Sequence, residues 1–146
     1  MSELLTYRGT IYPWHCDHMG HMNVMWYVGK FDEATWQLLA LMGFTPEYLK
    51  TNHRGLAAVE QHLSYRSELR AGDLISIYSQ VFEVKEKSIR FSHEMKRQDS
   101  GLIAATTTLI GVHIDTVARK SHPIPTEIKA KISSLIANSQ TTGPAL

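Results

Sequence analysis

The sequence holds a single cysteine, Cys16, among its 146 residues. One cysteine excludes an intrachain disulfide framework and any multi-cysteine zinc site. Long apolar runs are missing too: stretches such as Leu38-Leu39-Ala40-Leu41-Met42 fall far short of a bilayer span. The first residues, interrupted by Glu3 and Arg8, show no secretory h-region. Charge of one sign is scarce. A formal net charge of +1 lacks the basic footprint of a protein whose affinity comes mainly from phosphate backbones. Neither a glycine-rich phosphate loop nor a G-x-S-x-G elbow occurs, which removes P-loop nucleotide hydrolysis and a serine-hydrolase site. We expect a cytoplasmic protein with no nucleic-acid and no membrane partner, stabilised by its core and by association.

What is present is one domain's worth of core, with 43% hydrophobic and 20% charged residues. Residues 5 to 14 carry Tyr7, Thr10, Ile11, Tyr12 and Trp14, types that suit a strand, which Pro13 ends or places at an edge. From Val24 the period changes. Val24, Tyr27, Val28, Phe31, Ala34, Thr35, Leu38, Leu39 and Met42 fall at steps of three and four, one face of a long helix between Asn23 as N-cap and Gly43 as stop. Thr45-Pro46-Glu47 opens a short helical turn, and Asn52 to Gly55 reads as a loop.

Four strands then follow. Val59, Leu63, Tyr65 and Leu69 are expected on one side of the first, which ends at the turn Ala71-Gly72-Asp73. Residues 74 to 85 form the next, where the shift from Ile75 and Ile77 to Phe82 and Val84 predicts a bulge. Ile89, Phe91, His93 and Met95 alternate in the third, before a hairpin at Gln98-Asp99-Ser100-Gly101. Leu102 to Asp115 is β-branched and nearly neutral, the composition of a central strand buried on both faces. Ile128, Ile132, Leu135 and Ile136 predict a C-terminal helix over about 126–137, with Asn138 to Leu146 as a frayed tail. A long helix with one apolar face followed by a meander must bury that face against the sheet, so the fold class is α+β, an antiparallel sheet wrapped around one long central helix.

The chemistry-bearing stretch is Trp14-His15-Cys16-Asp17-His18-Met19-Gly20-His21-Met22-Asn23. It leads into a helix N-terminus, where free N–H groups and the positive dipole end hold an anion. A carboxylate just before such a site can attack a carbonyl, or activate water toward it, while the N–H groups hold the oxyanion. Gly20 lets the backbone turn and approach a ligand closely.

The pattern strand, Asp17-x-x-Gly20-His21-Met22-Asn23-x-x-x-Tyr27, long helix resembles the hotdog-fold acyl-CoA thioesterases of the 4-hydroxybenzoyl-CoA thioesterase type, from about Leu5 to Pro125. The resemblance implies one hotdog domain over residues 1–146, with its core at about 5–125. It implies Asp17 as the catalytic carboxylate and the Val24 N–H as the group that polarises the thioester carbonyl. Gly20, His21, Asn23 and Tyr27 support the loop. Where many relatives carry an acidic residue two before the catalytic Asp, this chain has His15. The family pairs subunits, so a homodimer or homotetramer with sites at the subunit interface is implied. The reaction needs no cofactor, because coenzyme A is part of the substrate.

Each residue has a plainer alternative. Asp17 can cap its own turn. Cys16 is expected to be a small buried apolar side chain rather than a nucleophile, because neighbours in an extended segment point opposite ways. His15, His18 and His21 with Asp17 raise a metal site, but the fixed H-E-x-x-H context is missing and we expect no metal. Glu33 on the helix is a second candidate carboxylate. Trp14, His15 and Trp26 are expected to line the acyl pocket, with Trp36 further along the Trp26 side. Indole faces suit a flat aromatic acyl group or a quaternary ammonium. The segment Trp14 to Trp36 is also similar to thioesterases that act on betainyl-CoA and accompany carnitine dehydrogenases. Arg119 and Lys120 are the expected cations for coenzyme A phosphates, ahead of Lys85, Lys87 and Arg90. The function expected is hydrolysis of a small acyl-CoA to free acid and CoA, with betainyl-CoA as the candidate substrate. The alternatives are an acyl-CoA hydratase or dehydratase on the same fold, and a non-catalytic acyl-CoA-binding module.

Overall fold

The computed structural model describes residues 3–141. In chain order the elements are β1 (Leu4–Thr10), α1 (Val24–Met42), α2 (Pro46–Asn52), β2 (Arg54–Tyr65), β3 (Leu74–Val84), β4 (Ser88–Arg97), β5 (Ile103–Asp115), β6 (Lys120–Ser121) and α3 (Thr126–Thr141). The sheet runs β1-β3-β4-β5-β2, every pairing antiparallel, with β6 beside the end of β5.

Local chemistry sets the limits of α1. The Asn23 side chain accepts from the Met25 amide at 3.0 Å, and Gly43 takes φ 111°, a left-handed conformation that costs a glycine little. Gly43 N and Phe44 N then close on Ala40 O and Leu39 O, satisfying carbonyls the helix leaves open. The buried stripe is Tyr27, Phe31, Ala34, Leu38, Leu39 and Met42, with Lys30 among them. Val24 and Val28, expected inside, are 56% and 41% exposed, because helical spacing sets them to one side of the stripe centred on Tyr27, Phe31, Ala34 and Leu38.

The core divides into two clusters along α1. Ile11, Met22, Tyr27, Phe31, Leu69, Ile75 and Met95 pack at the N-terminal half, while Leu38, Met42, Phe44, Phe91, Leu109, Ile128 and Ile132 pack at the C-terminal half. Between them lies a buried polar rung. His93 Nδ1 meets Ser79 Oγ at 2.6 Å, His93 Nε2 meets Thr35 Oγ1 at 2.8 Å, and Ser79 Oγ meets Thr6 Oγ1 at 2.7 Å. Thr35 also donates to Phe31 O at 2.9 Å, so its oxygen accepts from His93 Nε2–H and the Ser79 hydroxyl donates to Nδ1. Burial pushes the His93 pKa down to about 4, and the ring is neutral.

Several sequence expectations need correction. The first strand stops at Thr10, since Pro13 opens a single 3-10 turn, Pro13–His15, in place of continued pairing. The expected loop at 52–55 shrinks to His53 in a left-handed conformation between α2 and β2. Val59 is 61% exposed and Leu69 fully buried beyond the strand, because β2 shifts register between Ala58 and Glu60. The bulge in β3 is present, between Val81 and Glu83. β5 alternates buried and half-buried residues rather than being covered on both faces. Helix α3 continues past residue 137 to Thr141, where a tail was expected, and residues 142–146 of that expected tail lie outside the described residues. Among the described residues no helix is long and apolar enough to cross a membrane.

Candidate active site

The loop between β1 and α1 is closed on itself. A Cys16–Met22 bridge, Asn23 N to His15 O at 2.9 Å and Met22 N to Leu69 O at 2.7 Å pin its two limbs. Gly20, at φ 87°, makes the tip, with Gly20 N donating to Asp17 O at 3.0 Å.

Asp17 sits in this tip with both carboxylate oxygens engaged. Met19 N donates to Oδ1 at 2.8 Å and Asn23 Nδ2 donates to Oδ2 at 2.7 Å. The Asn23 bond, then the Met19 amide, holds the carboxyl below the usual carboxylate range, so Asp17 is ionised at neutral pH. The turn-capping role and an oriented carboxylate are thus both realised by the same side chain. Asn23 links it to the helix, since its Oδ1 is the α1 cap. Met25 N is taken by that cap and Trp26 N by Asn23 O, which leaves the Val24 N–H with no acceptor among the described residues.

Beside Val24 opens a cavity of about 290 Å³, where Tyr27, Tyr65, Arg66 and Glu68 face the helix N-terminus. Tyr27 and Tyr65 meet edge to face with centroids 5.1 Å apart, and Tyr27 donates its hydroxyl to Ser67 O at 3.3 Å. Burial pushes the Tyr27 phenol up to about 12. His21 supports the loop through its backbone, its carbonyl accepting from Asp17 N at 3.2 Å, while its ring faces Glu68 at 3.8 Å. Cys16, expected to be buried, is only half-buried: it packs against the N-terminal core cluster from its margin and lies 3.8 Å from Tyr12 O. Among the described residues no three His, Cys, Asp or Glu side chains converge on a metal position.

Trp14, His15 and Trp26 do come together, but around a different cavity. Residues 24 and 26 lie about 200° apart around a helix, so Trp26 faces β1 while Val24 faces the end of β2. The β1-side cavity, about 450 Å³, also holds Tyr7, Tyr12, Lys30 and Glu33. Trp36 is on neither wall: it lines a small recess of about 80 Å³ with Asp32 and Thr35 near β2. Arg119 and Lys120 are exposed in the β5–β6 turn, paired beside Asp115 and the Arg54 end of β2. Tyr65 and the Asp17 loop are at the other end of that strand, roughly 35 Å away along its length. Within one chain these two cations do not reach Asp17. Sequence reasoning missed Arg66, an exposed cation lining the Val24 cavity with no carboxylate paired to it among the described residues. Its only signal is its place just after the strand that ends beside the loop.

A curled antiparallel sheet holding one long helix, with a carboxylate loop at that helix's N-terminus, defines an α+β protein of the hotdog fold. The chain belongs to the Thioesterase-like superfamily, whose family model matches residues 11–132. It is 25% identical over 136 residues to a betainyl-CoA thioesterase of Pseudomonas aeruginosa, covering 92% of this chain and 86% of that one. It is 29% identical over 119 residues to an L-carnitine dehydrogenase/betainyl-CoA thioesterase of Rhizobium meliloti, covering 82% of this chain but 24% of that one. The chain therefore spans about a quarter of the length of that relative. The Staphylococcus aureus protein SAV2348, solved in complex with CoA, superposes with a TM-score of 0.83 at 22% identity, covering 100% of this chain and 90% of that one.

Proposed function

We propose that this chain hydrolyses a small acyl-CoA to the free acid and CoA. The observation that carries the reading is Asn23, which holds the Asp17 carboxylate with one side-chain atom and caps with the other the helix whose Val24 N–H is unfilled. A thioester carbonyl seated between them meets an ionised carboxylate and an oxyanion donor together. Two routes use the same atoms. Asp17 attacks the carbonyl carbon itself, or it takes a proton from a water that does. In both, negative charge develops on the oxygen facing Val24 N–H, and the carbon–sulfur bond then breaks; on the first route this leaves a mixed anhydride on Asp17, which water then cleaves to the free acid and the Asp17 carboxylate. The departing thiolate has a conjugate-acid pKa of about 8.5, as for a cysteine thiol, so it leaves without a strong general acid.

Arg66 at the cavity mouth supplies a cation for a coenzyme A phosphate. The exposed β2 edge supports a homodimer. A second copy pairing its own β2 antiparallel to this one carries its Arg119–Lys120 turn to the Tyr65 end, where the Asp17 loop lies. Betainyl-CoA is the preferred substrate on two grounds. It is the acyl-CoA in the names of two relatives, and the Tyr65 ring with the Glu68 carboxylate suits a trimethylammonium group.

The test is a thiol-release screen over short, aromatic, cationic and long-chain acyl-CoAs, run on wild type and Asp17→Asn. Rapid thiol release from betainyl-CoA, lost in a folded Asp17→Asn protein, is expected. Undiminished turnover by that variant rejects the mechanism. Tight binding with no thiol release across the panel rejects the enzyme in favour of a binding module, and alkene formation or hydration without release points to a hydratase.

A further inference from the structure

The β1-side cavity has chemistry that thioester hydrolysis does not use. Lys30 is 4% exposed, and its ammonium donates to the Tyr7 hydroxyl at 3.1 Å, with the Tyr7 ring centroid 5.4 Å away. No carboxylate pairs with it among the described residues. A buried ammonium held only by a neutral hydroxyl keeps donors to spare and lacks a counter-charge.

A second donor joins it. The Tyr12 amide donates to His15 Nδ1 at 2.9 Å, so that nitrogen carries no proton. Burial, then the nearby Lys30 charge, lowers the His15 pKa, and the neutral ring carries its proton on Nε2. Two N–H donor groups, one of them charged, therefore line the same space. Its walls are aromatic. Tyr12 and Trp14 stack at 4.5 Å, and Trp26 meets His15 edge-on at 4.6 Å. Glu33, exposed at the rim, places one negative charge near the mouth. The lining thus holds one cation deep inside, one anion outside, and aromatic faces between.

We infer that this cavity is a second ligand site, separate from the Val24 cavity, that takes a small carboxylate bearing a methylated ammonium at its other end. The carboxylate meets Lys30, His15 Nε2–H and the Tyr7 hydroxyl, while the ammonium lies against the Trp14 and Trp26 faces near Glu33. Such a zwitterion is the free acid that hydrolysis of a trimethylammonium acyl-CoA releases, so this assignment rests on that substrate reading. The thioester has no free carboxylate at that position and gains nothing from Lys30. The site therefore distinguishes product from substrate.

Binding is measured without turnover, which separates this idea from the thioesterase reading. Trimethylammonioacetate is titrated into the full chain, followed by tryptophan fluorescence and by calorimetry, with choline and acetate as single-charge controls. Saturable binding is expected, unchanged in Asp17→Asn and unaffected by saturating free CoA. Choline and acetate should each bind about tenfold more weakly, as should the zwitterion to Lys30→Met, given the worth of a charged hydrogen bond. Lys30→Gln with a thermal melt guards against a folding defect, and a folded Lys30→Gln protein should show the same loss. The assignment is overturned by no saturable binding, by equal binding of choline, by unchanged affinity in the folded Lys30 variants, or by competition from CoA.

Discussion

Asn23 Nδ2 donates to Asp17 Oδ2 at 2.7 Å while Asn23 Oδ1 caps the first turn of α1. One amide side chain thus sets both the helix start and the carboxylate beside it, and the two functions separate by substitution. Asn23→Ser keeps a capping oxygen but has no donor group that spans to Asp17 in the same way. Its stability should stay close to wild type, while kcat/KM falls by roughly tenfold to a hundredfold. Asp17→Asn should lose about a thousandfold in kcat. Circular dichroism confirms that both remain folded.

The same bond fixes a pH response. Asn23 and the Met19 amide lower the Asp17 pKa, so the acidic limb of kcat/KM should lie below the ordinary carboxylate value. Removing the Asn23 donor raises that pKa. The acidic limb of Asn23→Ser should therefore move to higher pH, which a pH–rate profile reads directly.

Stability should respond to a different group. His93 titrates near pH 4 folded and near 6.5 unfolded, so its contribution is complete above pH 6.5 and lost as pH falls toward 4. The size is about 3 kcal/mol. Urea denaturation of wild type at pH 7 and pH 4.5 should show the drop, and His93→Gln should flatten this part of it.

Arg66 should act on binding rather than chemistry. Arg66→Gln is expected to raise KM for acyl-CoA about tenfold with little change in kcat, and to weaken the dependence of KM on salt. Steady-state kinetics at two ionic strengths checks both.

Association should depend on the β2 edge. Val59→Lys places a charge on the exposed strand and should shift the mass in solution from twice the 16.5 kDa chain to the single chain. Light scattering after gel filtration measures this.

Local signals made part of this architecture legible in the sequence. Asn23 and Gly43 bound α1 because capping is settled by neighbouring atoms, and the β3 bulge shows as a change in which residues alternate. Asp17 was legible as a candidate through its position before the helix. Its partner atoms were not, since the Asp17–Asn23 bond depends on how the 17–20 turn closes. Lys30 breaks an otherwise apolar stripe, and a charge there reads as solvated until Tyr7 on another element is seen above it. Trp14, His15 and Trp26 meet in one cavity, but on the β1 flank of α1 rather than beside Val24: proximity in sequence hides the angle between residues 24 and 26. The last turn of α3 was hidden by Asn138, an exposed polar residue that a helix tolerates once Ile128 and Ile132 anchor it.

The buried Thr6–Ser79–His93–Thr35 chain ties β1, β3, β4 and α1 at a single level. If any one of these elements slipped by a residue, a donor would be stranded in an apolar interior. This rung therefore acts as an alignment pin. The apolar layers above and below it can be re-sculpted for other acyl groups while the pin keeps the helix mouth and its carboxylate in register.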